Sequence, residues 1–238
     1  YTGVTDIRTG TLAVSGNLGD NSAVQITEGA TYQVAHSDLV GSIAGAGTLT
    51  SLTGGPVTLT VGNNNTSTLF SGLISDTPAA PLTLVKIGTG TLTLGASTTF
   101  TGTTQISGGT LSLAVADALA NSAGVTLDDT SGVALALNGY AQTLQALSGG
   151  GATGGAVDLG SATLTIHQNG SSTFAGPISG TGGIIKTGSG TLTLSGINTY
   201  TGVTDIRTGT LAVSGNLGDN SAVQITEGAT YQVAHSDL

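Results

Sequence analysis

Aliphatic and threonine side chains alternate in short stretches along this chain. The clearest stretches are Val57 to Val61, Thr91 to Leu94, Thr163 to Ile166 and Thr191 to Leu194. A period of two places successive side chains on opposite faces of a β-strand, and Thr suits the exposed face because it is β-branched. A glycine-containing turn follows each stretch. The Ala-rich segment Leu113 to Ala120 comes nearest to a helical period, and it is short, so the pattern predicts a nearly all-β chain.

The sequence repeats itself at two lengths. Residues 1–39 recur without change as residues 200–238, which sets a period of 199 residues. Inside that period, Lys86 to Leu111 matches Lys186 to Leu211, about 100 residues further on. We interpret residues 1–238 as a single continuous segment, formed by one 199-residue tandem repeat and a 39-residue overlap. Its two sub-repeats cover residues 86–185, and residues 186–238 together with 1–85.

The scarcity of large aromatic side chains narrows the choice of β architecture. The chain has five Tyr, three Phe and no Trp, whereas a two-sheet sandwich normally builds its core on aromatic residues. A parallel solenoid instead stacks small and medium aliphatic residues in one coil above those in the next. We therefore predict a right-handed parallel β-helix, an elongated rod with coils of ~20 residues. At ~4.8 Å per coil, 199 residues would extend the rod by about 48 Å.

Charge and cysteine content exclude several kinds of function. The formal net charge is −9, and the fixed cations are Arg8, Lys86, Lys186 and Arg207. This balance lacks the basic surface that nucleic-acid binding requires, and it disfavours anionic membranes. The absence of Cys excludes disulfides and Cys-based zinc sites. No apolar run approaches the ~18 residues of a membrane-spanning helix.

Lysine, glycine and aromatic positions combine with the strand pattern over Lys186 to Leu211. Lys86 to Leu111 carries a weaker copy, and Tyr1 to Leu12 matches the end of a third. This pattern resembles the passenger-associated transport repeat of bacterial autotransporters. The resemblance implies a right-handed β-helical passenger that is exported across the outer membrane of a Gram-negative bacterium by type V secretion. It also implies display at the cell surface, often for adhesion or cell-to-cell aggregation, and it identifies no ligand.

Residues that could support catalysis or metal binding are few and dispersed. His36-Ser37-Asp38, repeated as His235-Ser236-Asp237, contains the residue types of a catalytic triad, but neighbours on a strand point to opposite faces. His167 has no Cys or Glu nearby in sequence to complete a metal site. We therefore expect no metal site and no cofactor.

Carboxylates need separate consideration because β-helices also host polysaccharide-degrading enzymes, which use paired Asp or Glu residues. Asp128 and Asp129 are adjacent and expected to diverge at a turn, and the remaining candidates, Asp76, Asp117 and Asp158, are scattered. Asp6 and Arg8, like Asp205 and Arg207, flank an inward Ile and should form exposed ion pairs worth ~0–1 kcal/mol. We expect no catalytic residues and no enzyme activity.

The sequence thus leaves a structural and adhesive hypothesis and an alternative. In the first, the chain is a repeat segment of a large autotransporter adhesin that acts as a stalk and in cell adhesion or self-association, as in aggregation or biofilm. Its partners would be identical repeats on neighbouring cells or a surface ligand of protein or glycan. In the alternative, the outward pairs Thr58/Thr60, Thr91/Thr93, Thr163/Thr165 and Thr191/Thr193 bind ice or polysaccharide. That alternative requires the pairs on one face at one-coil spacing, and their sequence intervals are irregular.

Overall fold

The chain folds as a parallel β-solenoid of about 11 turns. The computed structural model describes residues 2–52, 54–218 and 221–234. Over these residues it contains strands and turns without a helix, and the strands that pair with one another all run parallel. The predicted all-β class and β-helix architecture are therefore confirmed.

Each regular turn of the solenoid crosses three faces in a fixed order, which we name face 1, face 2 and face 3. Face 1 is a nine-stranded sheet. Its strands are β1 (Thr5–Ile7), β3 (Ala23–Ile26), β6 (Ser42–Gly45), β9 (Thr68–Phe70), β12 (Thr91–Leu94), β14 (Thr110–Leu113), β16 (Ala134–Ala136), β19 (Ala156–Asp158) and β22 (Ile178–Ser179).

Face 2 consists of a four-stranded and a five-stranded sheet. The strands of the first are β2 (Thr11–Val14), β4 (Thr31–Val34), β7 (Thr48–Ser51) and β10 (Leu73–Ser75). Those of the second are β17 (Gln142–Leu144), β20 (Leu164–His167), β23 (Ile184–Thr187), β25 (Thr204–Ile206) and β27 (Val223–Ile225).

Irregular coil joins the two sheets of face 2. The backbone N–H of Thr99 donates to the carbonyl of Ile74 in β10, and that of Thr98 donates to Ala118. The N–H of Ala118 in turn donates to the side chain of Gln142 in β17. Hydrogen bonding from turn to turn therefore continues where the strands stop.

Face 3 is a ten-stranded sheet. Its strands are β5 (Asp38–Val40), β8 (Val57–Val61), β11 (Leu82–Lys86), β13 (Thr104–Ile106), β15 (Val125–Leu127), β18 (Leu147–Gly149), β21 (Ser172–Phe174), β24 (Thr191–Leu194), β26 (Thr210–Val213) and β28 (Thr230–Val233).

Aliphatic side chains stack in columns along the inside of the coil. On face 1 the register aligns one buried residue from each of five successive strands. This column consists of Leu92, Leu111, Leu135, Val157 and Ile178. The intervening residues of the strands point outward, as the period of two predicts. Full burial of each such side chain contributes roughly 1.5 to 3 kcal/mol.

The length of a turn varies while the stacking register is kept. Ile7 is the register partner of Ile26, whereas Gly45 pairs with Phe70 across a longer interval of sequence. Strands and corners both differ in length between these two turns. The shorter turns are thus close to the coil length that the sequence predicts, and the longer turns exceed it.

Turns replace helix in the segment that came nearest to a helical pattern. Within Leu113 to Ala120, Leu113 ends β14 and the following residues form bends and turns. Among the described residues, none of the elements is a helix of the length and apolar character needed to span a bilayer.

Burial of a residue in this fold depends on the coil above it. Val24 and Ile26 of β3 are fully buried because β6 stacks on them. Their sequence copies Val223 and Ile225, in β27 at the edge of the five-stranded sheet, are 36% and 53% exposed. Identical residues thus differ in burial, as expected when each coil is stabilised by its neighbours.

Leu192 and Thr193 are adjacent residues of β24 that test the assignment of inside and outside. Leu192 is fully buried, whereas Thr193 points outward. We expect Leu192→Asp to lower the free energy of unfolding by at least about 3 kcal/mol, because it places an unpaired charge in the apolar column. Thr193→Asp, the matched control, should change it by less than about 1 kcal/mol. Urea denaturation followed by circular dichroism measures both, and equal effects would contradict this placement.

Candidate functional site

The chain's two lysine side chains lie inside the solenoid. Lys86 ends β11, where the register places it between Val61 below and Ile106 above. Lys186 lies in β23 between Ile166 and Ile206. Both are buried at 1% exposure or less. Each lysine therefore takes a position that an aliphatic residue occupies in the coils next to it.

Backbone carbonyls hold the Lys86 ammonium. Its Nζ donates to the carbonyl oxygens of Ile87, Gly88 and Gly108 at 2.6, 3.2 and 3.0 Å. The first two belong to the corner after β11, and the third belongs to the corner one turn above. Three acceptors match the three N–H groups of an ammonium. The lysine thereby links two successive coils.

Lys186 has the same environment one sub-repeat later. Its Nζ donates to the carbonyls of Thr187 and Gly188 at 2.7 and 2.9 Å, and it lies 3.3 Å from that of Thr208. The Gln168 carbonyl from the turn below lies at 3.5 Å. We call these two sites the lysine corners, each comprising a lysine and the carbonyl groups around its Nζ.

The glycines after each lysine occupy positions where the structure requires glycine. Gly88 and Gly188 have φ of +68° and +78°, a left-handed conformation that disfavours side chains. Both supply a carbonyl to the lysine. A Cβ at Gly190 would lie 1.8 Å from the carbonyl oxygen of Gly170, so this glycine permits close approach between coils. The spacing Lys-x-Gly-x-Gly therefore builds an inward lysine, its carbonyl cradle and a tight coil contact.

Burial lowers the pKa of both lysines, because the apolar interior disfavours the charged form. The pKa of Lys86 falls from 10.5 to about 8, and that of Lys186 is lowered by the same cause. The ion pairs recorded among the described residues are Asp6–Arg8 and Asp205–Arg207, and neither includes a lysine. Carbonyl dipoles therefore compensate the buried charge. The group that these carbonyls hold is the ammonium of the lysine itself.

A second polar contact recurs near each lysine corner. Thr104 Oγ1 lies 3.1 Å from Ser122 Oγ, and Thr204 Oγ1 lies 2.9 Å from Ser221 Oγ. Tyr200, which is fully buried, places its hydroxyl 2.6 Å from Thr204 Oγ1. Desolvation raises the pKa of Tyr200 and keeps its phenol protonated. These hydroxyl groups join neighbouring turns in the interior.

The His36-Ser37-Asp38 sequence does not assemble a nucleophilic relay. Asp38 is buried, and its Oδ2 accepts from the Tyr32 hydroxyl at 2.8 Å and from the Leu18 N–H at 3.3 Å. Ser37 Oγ accepts from the backbone of Thr58 at 2.9 Å, while His36 is exposed. The copy His235-Ser236-Asp237 lies outside the described residues.

His167 lies on the outer side of face 2. Its Nδ1 is 3.1 Å from Thr187 Oγ1 on the strand above. Across the described ranges, no group of three or more His, Cys, Asp or Glu side chains comes close enough to hold a metal ion. His167 thus takes part in a hydroxyl contact between coils.

Most of the carboxylates considered as catalytic groups accept hydrogen bonds from nearby residues. Asp129 accepts from the N–H groups of Thr153 and Gly154 at 2.7 and 2.9 Å, and Asp128 accepts from Gln105 at 3.0 Å. The other carboxylates also accept from backbone N–H groups; these are Asp76 from Leu82 and Thr101, and Asp158 from Gly160. Asp117 has φ of +51° at a corner. The carboxylates of Asp76, Asp128, Asp129 and Asp158 therefore have local structural roles, and Asp117 contributes its backbone to a corner.

The predicted exposed ion pairs are present. Arg8 Nε donates to Asp6 Oδ2 at 2.7 Å, and Arg207 Nε donates to Asp205 Oδ2 at the same distance. The hydrogen bond with Asp6 raises the pKa of Arg8 further. Such exposed pairs contribute little to stability.

The four outward Thr pairs do not share one face. Thr58/Thr60 and Thr191/Thr193 lie on face 3, Thr91/Thr93 on face 1 and Thr163/Thr165 along face 2. Two of them share face 3, but several further strands separate β8 from β24 there. The pairs thus do not form a flat Thr array at one-coil spacing.

Lys86 and Lys186 were counted among the fixed cations of the sequence, and their position inside the solenoid was not predicted. The signal was present in the period of two. Leu82, Leu84 and Lys86 occupy alternate positions of one strand, and all three are buried. The alternation of inward and outward positions along the strand therefore predicts an inward lysine, whereas the charge of the side chain alone predicts an exposed one.

These features define the class of the chain: a β-solenoid with two lysine corners at matching positions. The Passenger-associated-transport-repeat family matches residues 84–113 and 184–213, which include both lysines. The chain therefore carries these repeats, and the resemblance to autotransporter passengers is confirmed.

A particular relative extends the comparison beyond the repeats. The chain is 36% identical over 222 residues to the Adhesin BmaC autotransporter of Brucella suis biovar 1 (strain 1330). The match covers 89% of this chain and 6% of that protein, so the chain spans a small part of the length of its relative. Comparison with solved structures gives no significant match.

The lysine corners predict a pH dependence of stability. The Lys86 pKa is about 8 in the folded chain and 10.5 when solvated, so between these values the unfolded chain binds more protons. The Lys86 contribution to the free energy of unfolding should therefore rise by roughly 3 kcal/mol from pH 8 to 10.5.

Urea denaturation at several pH values measures this rise. Lys86→Met, which keeps the length of the side chain and removes the titration of Lys86, should reduce this rise, and Lys186, whose pKa is also lowered, accounts for part of what remains. Val85→Met, on the outer side of the same strand, is the matched control and should leave the pH dependence intact. The same slope in wild type and Lys86→Met would contradict a buried, titrating lysine.

Proposed function

We propose that this chain is a non-enzymatic repeat segment of a large cell-surface autotransporter adhesin. The observation that carries the proposal is the similarity of nearly the whole chain to an autotransporter named as an adhesin, on a fold that repeats along its axis. In this function the segment is extracellular, on the surface of a Gram-negative bacterium. It extends the adhesin away from the cell and contributes contacts to adhesion or self-association.

The physical character of the rod suits this function. Its interior is filled by one cluster of aliphatic residues, with polar side chains bonded to backbone. Asp38, Asp129 and His167, which were considered for catalysis, are engaged in corners and coil contacts. What remains for recognition is the outer surface, where short polar side chains and exposed ion pairs repeat along the axis. Many weak contacts in such an array gain strength through effective concentration.

The partners in this proposal are identical repeats on neighbouring cells or a surface ligand of protein or glycan. The exposed pairs Asp6–Arg8 and Asp205–Arg207 could exchange partners between two rods, because each presents both signs of charge. The net charge of −9 makes rods repel at low ionic strength. Self-association would therefore strengthen as salt screens this repulsion, until the ion-pair contacts are screened as well.

Display of the chain on a non-adherent bacterium tests the proposal. Cells that carry the folded chain should settle and clump more than cells that carry an equal amount of the unstable Leu192→Asp variant. Settling rate and microscopy of clumps measure self-association, and binding to immobilised matrix proteins and glycans measures adhesion.

The same material separates the alternatives. Thermal hysteresis of the purified chain, together with unchanged settling and ligand binding, would favour the ice-binding interpretation. Release of reducing sugar from polysaccharides would favour an enzyme. Either result would overturn the adhesive proposal.

A further inference from the structure

Equivalent parts of the repeat lie on different faces of the solenoid. The strands β1, β13 and β25 are equivalent by sequence, about 100 residues apart, and each begins with Thr and ends with Ile. They lie on face 1, face 3 and face 2, respectively. Three successive copies of one motif therefore occupy all three faces.

Local structure is preserved in each of these positions. The first residue of each strand pairs with a serine of the next turn, at 2.9 Å for Thr5 and Ser22. The corresponding distances are 3.1 Å for Thr104 and Ser122, and 2.9 Å for Thr204 and Ser221. The motif thus keeps its own contacts while its direction around the axis changes.

The lysine corners follow the same displacement. Lys86 lies on face 3 and Lys186 on face 2. The strand that follows each lysine moves likewise, from face 1 for β12 to face 3 for β24. Since a turn runs from face 1 through face 2 to face 3, each sub-repeat falls one face short of five full turns.

The length of the whole repeat agrees with this count. Face 1 has nine strands from β1 to β22, which span eight turns. The Thr199 N–H donates to the Ile178 carbonyl of β22 at 2.8 Å, so the ninth turn reaches face 1 beside Thr199. Thr204, the copy of Thr5, then begins β25 on face 2, one face later. The 199-residue repeat therefore contains about nine and one third turns.

The uniform interior makes this displacement possible. All three faces are lined by aliphatic columns built from strands of two to five residues. The length of a turn also varies: the register partners Ile7 and Ile26 are closer in sequence than the register partners Gly45 and Phe70. A segment that buries alternate aliphatic residues can thus occupy any face without a change in its sequence.

We infer that the repeat forms a screw-like interaction surface, in which each surface motif is turned by one of the three faces from one 199-residue copy to the next. The motif's outward groups include the ion pair Asp6–Arg8 on face 1 and Asp205–Arg207 on face 2. Such a surface fits a partner that reads one motif at a time and approaches from any side, as a second copy of this chain on another cell does. An extended flat partner would meet equivalent motifs only at long intervals. The displacement of the motif between faces is independent of the proposed adhesive function. The use of this surface in recognition rests on that proposed function.

Engineered disulfides test the face of the second copy, because the chain has no native Cys. Asp205 is the register partner of Ile185 on face 2, so Ile185→Cys with Asp205→Cys should form an intramolecular disulfide. Ser179→Cys with Asp205→Cys places the first cysteine on face 1 and should stay reduced. Asp6→Cys with Gln25→Cys, partners in the first copy, is the positive control. Thiol alkylation and mass spectrometry measure each outcome.

A disulfide between positions 179 and 205 would overturn the inference. So would a failure of the 185 and 205 pair to crosslink in a folded chain in which the positive control does crosslink. Circular dichroism of each variant confirms that it has folded. These measurements use the purified chain, so their failure is distinct from a negative result in the cell-settling assay.

Labels attached at two corners test the display itself. Glu28 and its copy Glu227 are exposed, and the corners that contain them follow β3 on face 1 and β27 on face 2. Monovalent streptavidin bound to biotin on cysteines at positions 28 and 227 should project from different sides of the rod in electron micrographs. The matched control carries cysteines at positions 28 and 181, both in corners that follow face 1, and its labels should project from one side. Projection of both test labels from one side would contradict the screw-like surface.

Discussion

Stacking of each coil on the next is the interaction on which this structure depends. The strands are two to five residues long, too short to hold a fold by themselves, and each pairs with a strand one turn away. The same register aligns the inward aliphatic side chains, so hydrogen bonding and apolar burial are satisfied together. Positions such as Gly190 leave no room for a Cβ between neighbouring coils. The glycine content of the chain therefore follows in part from the closeness of its turns.

The lysine corners show that this interior tolerates a cation where the backbone can solvate it. Each site consists of the end of a strand, a glycine in the left-handed conformation and the corner of the adjacent turn. The carbonyl groups there replace part of the hydration that the ammonium loses on burial. The pKa is still lowered because this replacement is incomplete. A lysine in this position ties two turns together by directional bonds, which aliphatic packing alone does not provide. This gives a physical reason for a lysine at the start of the transport-repeat motif.

Much of the fold could be predicted from the sequence because its determinants are local. The alternation in Thr191 to Leu194 specifies a strand with Leu192 inside, and the ion pair of Asp6 and Arg8 follows from the position of both beside Ile7. For the two lysines, the alternation along the strand predicts a buried side chain and the charge predicts an exposed one. Lysines are usually exposed in proteins, so the charge favours the prediction that is wrong here. The burial of Asp38 could not be predicted either, because the path of one particular corner brings it to its partner Tyr32. The lengths of the turns and of their corners also follow no simple period, because they differ from one turn to another.

The fractional turn in the repeat has a consequence for any protein that contains several copies. If the number of turns per copy were whole, adding a copy would lengthen the rod and leave its far end facing the same way. With about nine and one third turns, insertion or deletion of one copy also moves the start of everything beyond it by one face. Three copies bring the path of the chain back to the same face. Copy number would then set the heading of distal segments as well as their distance from the cell.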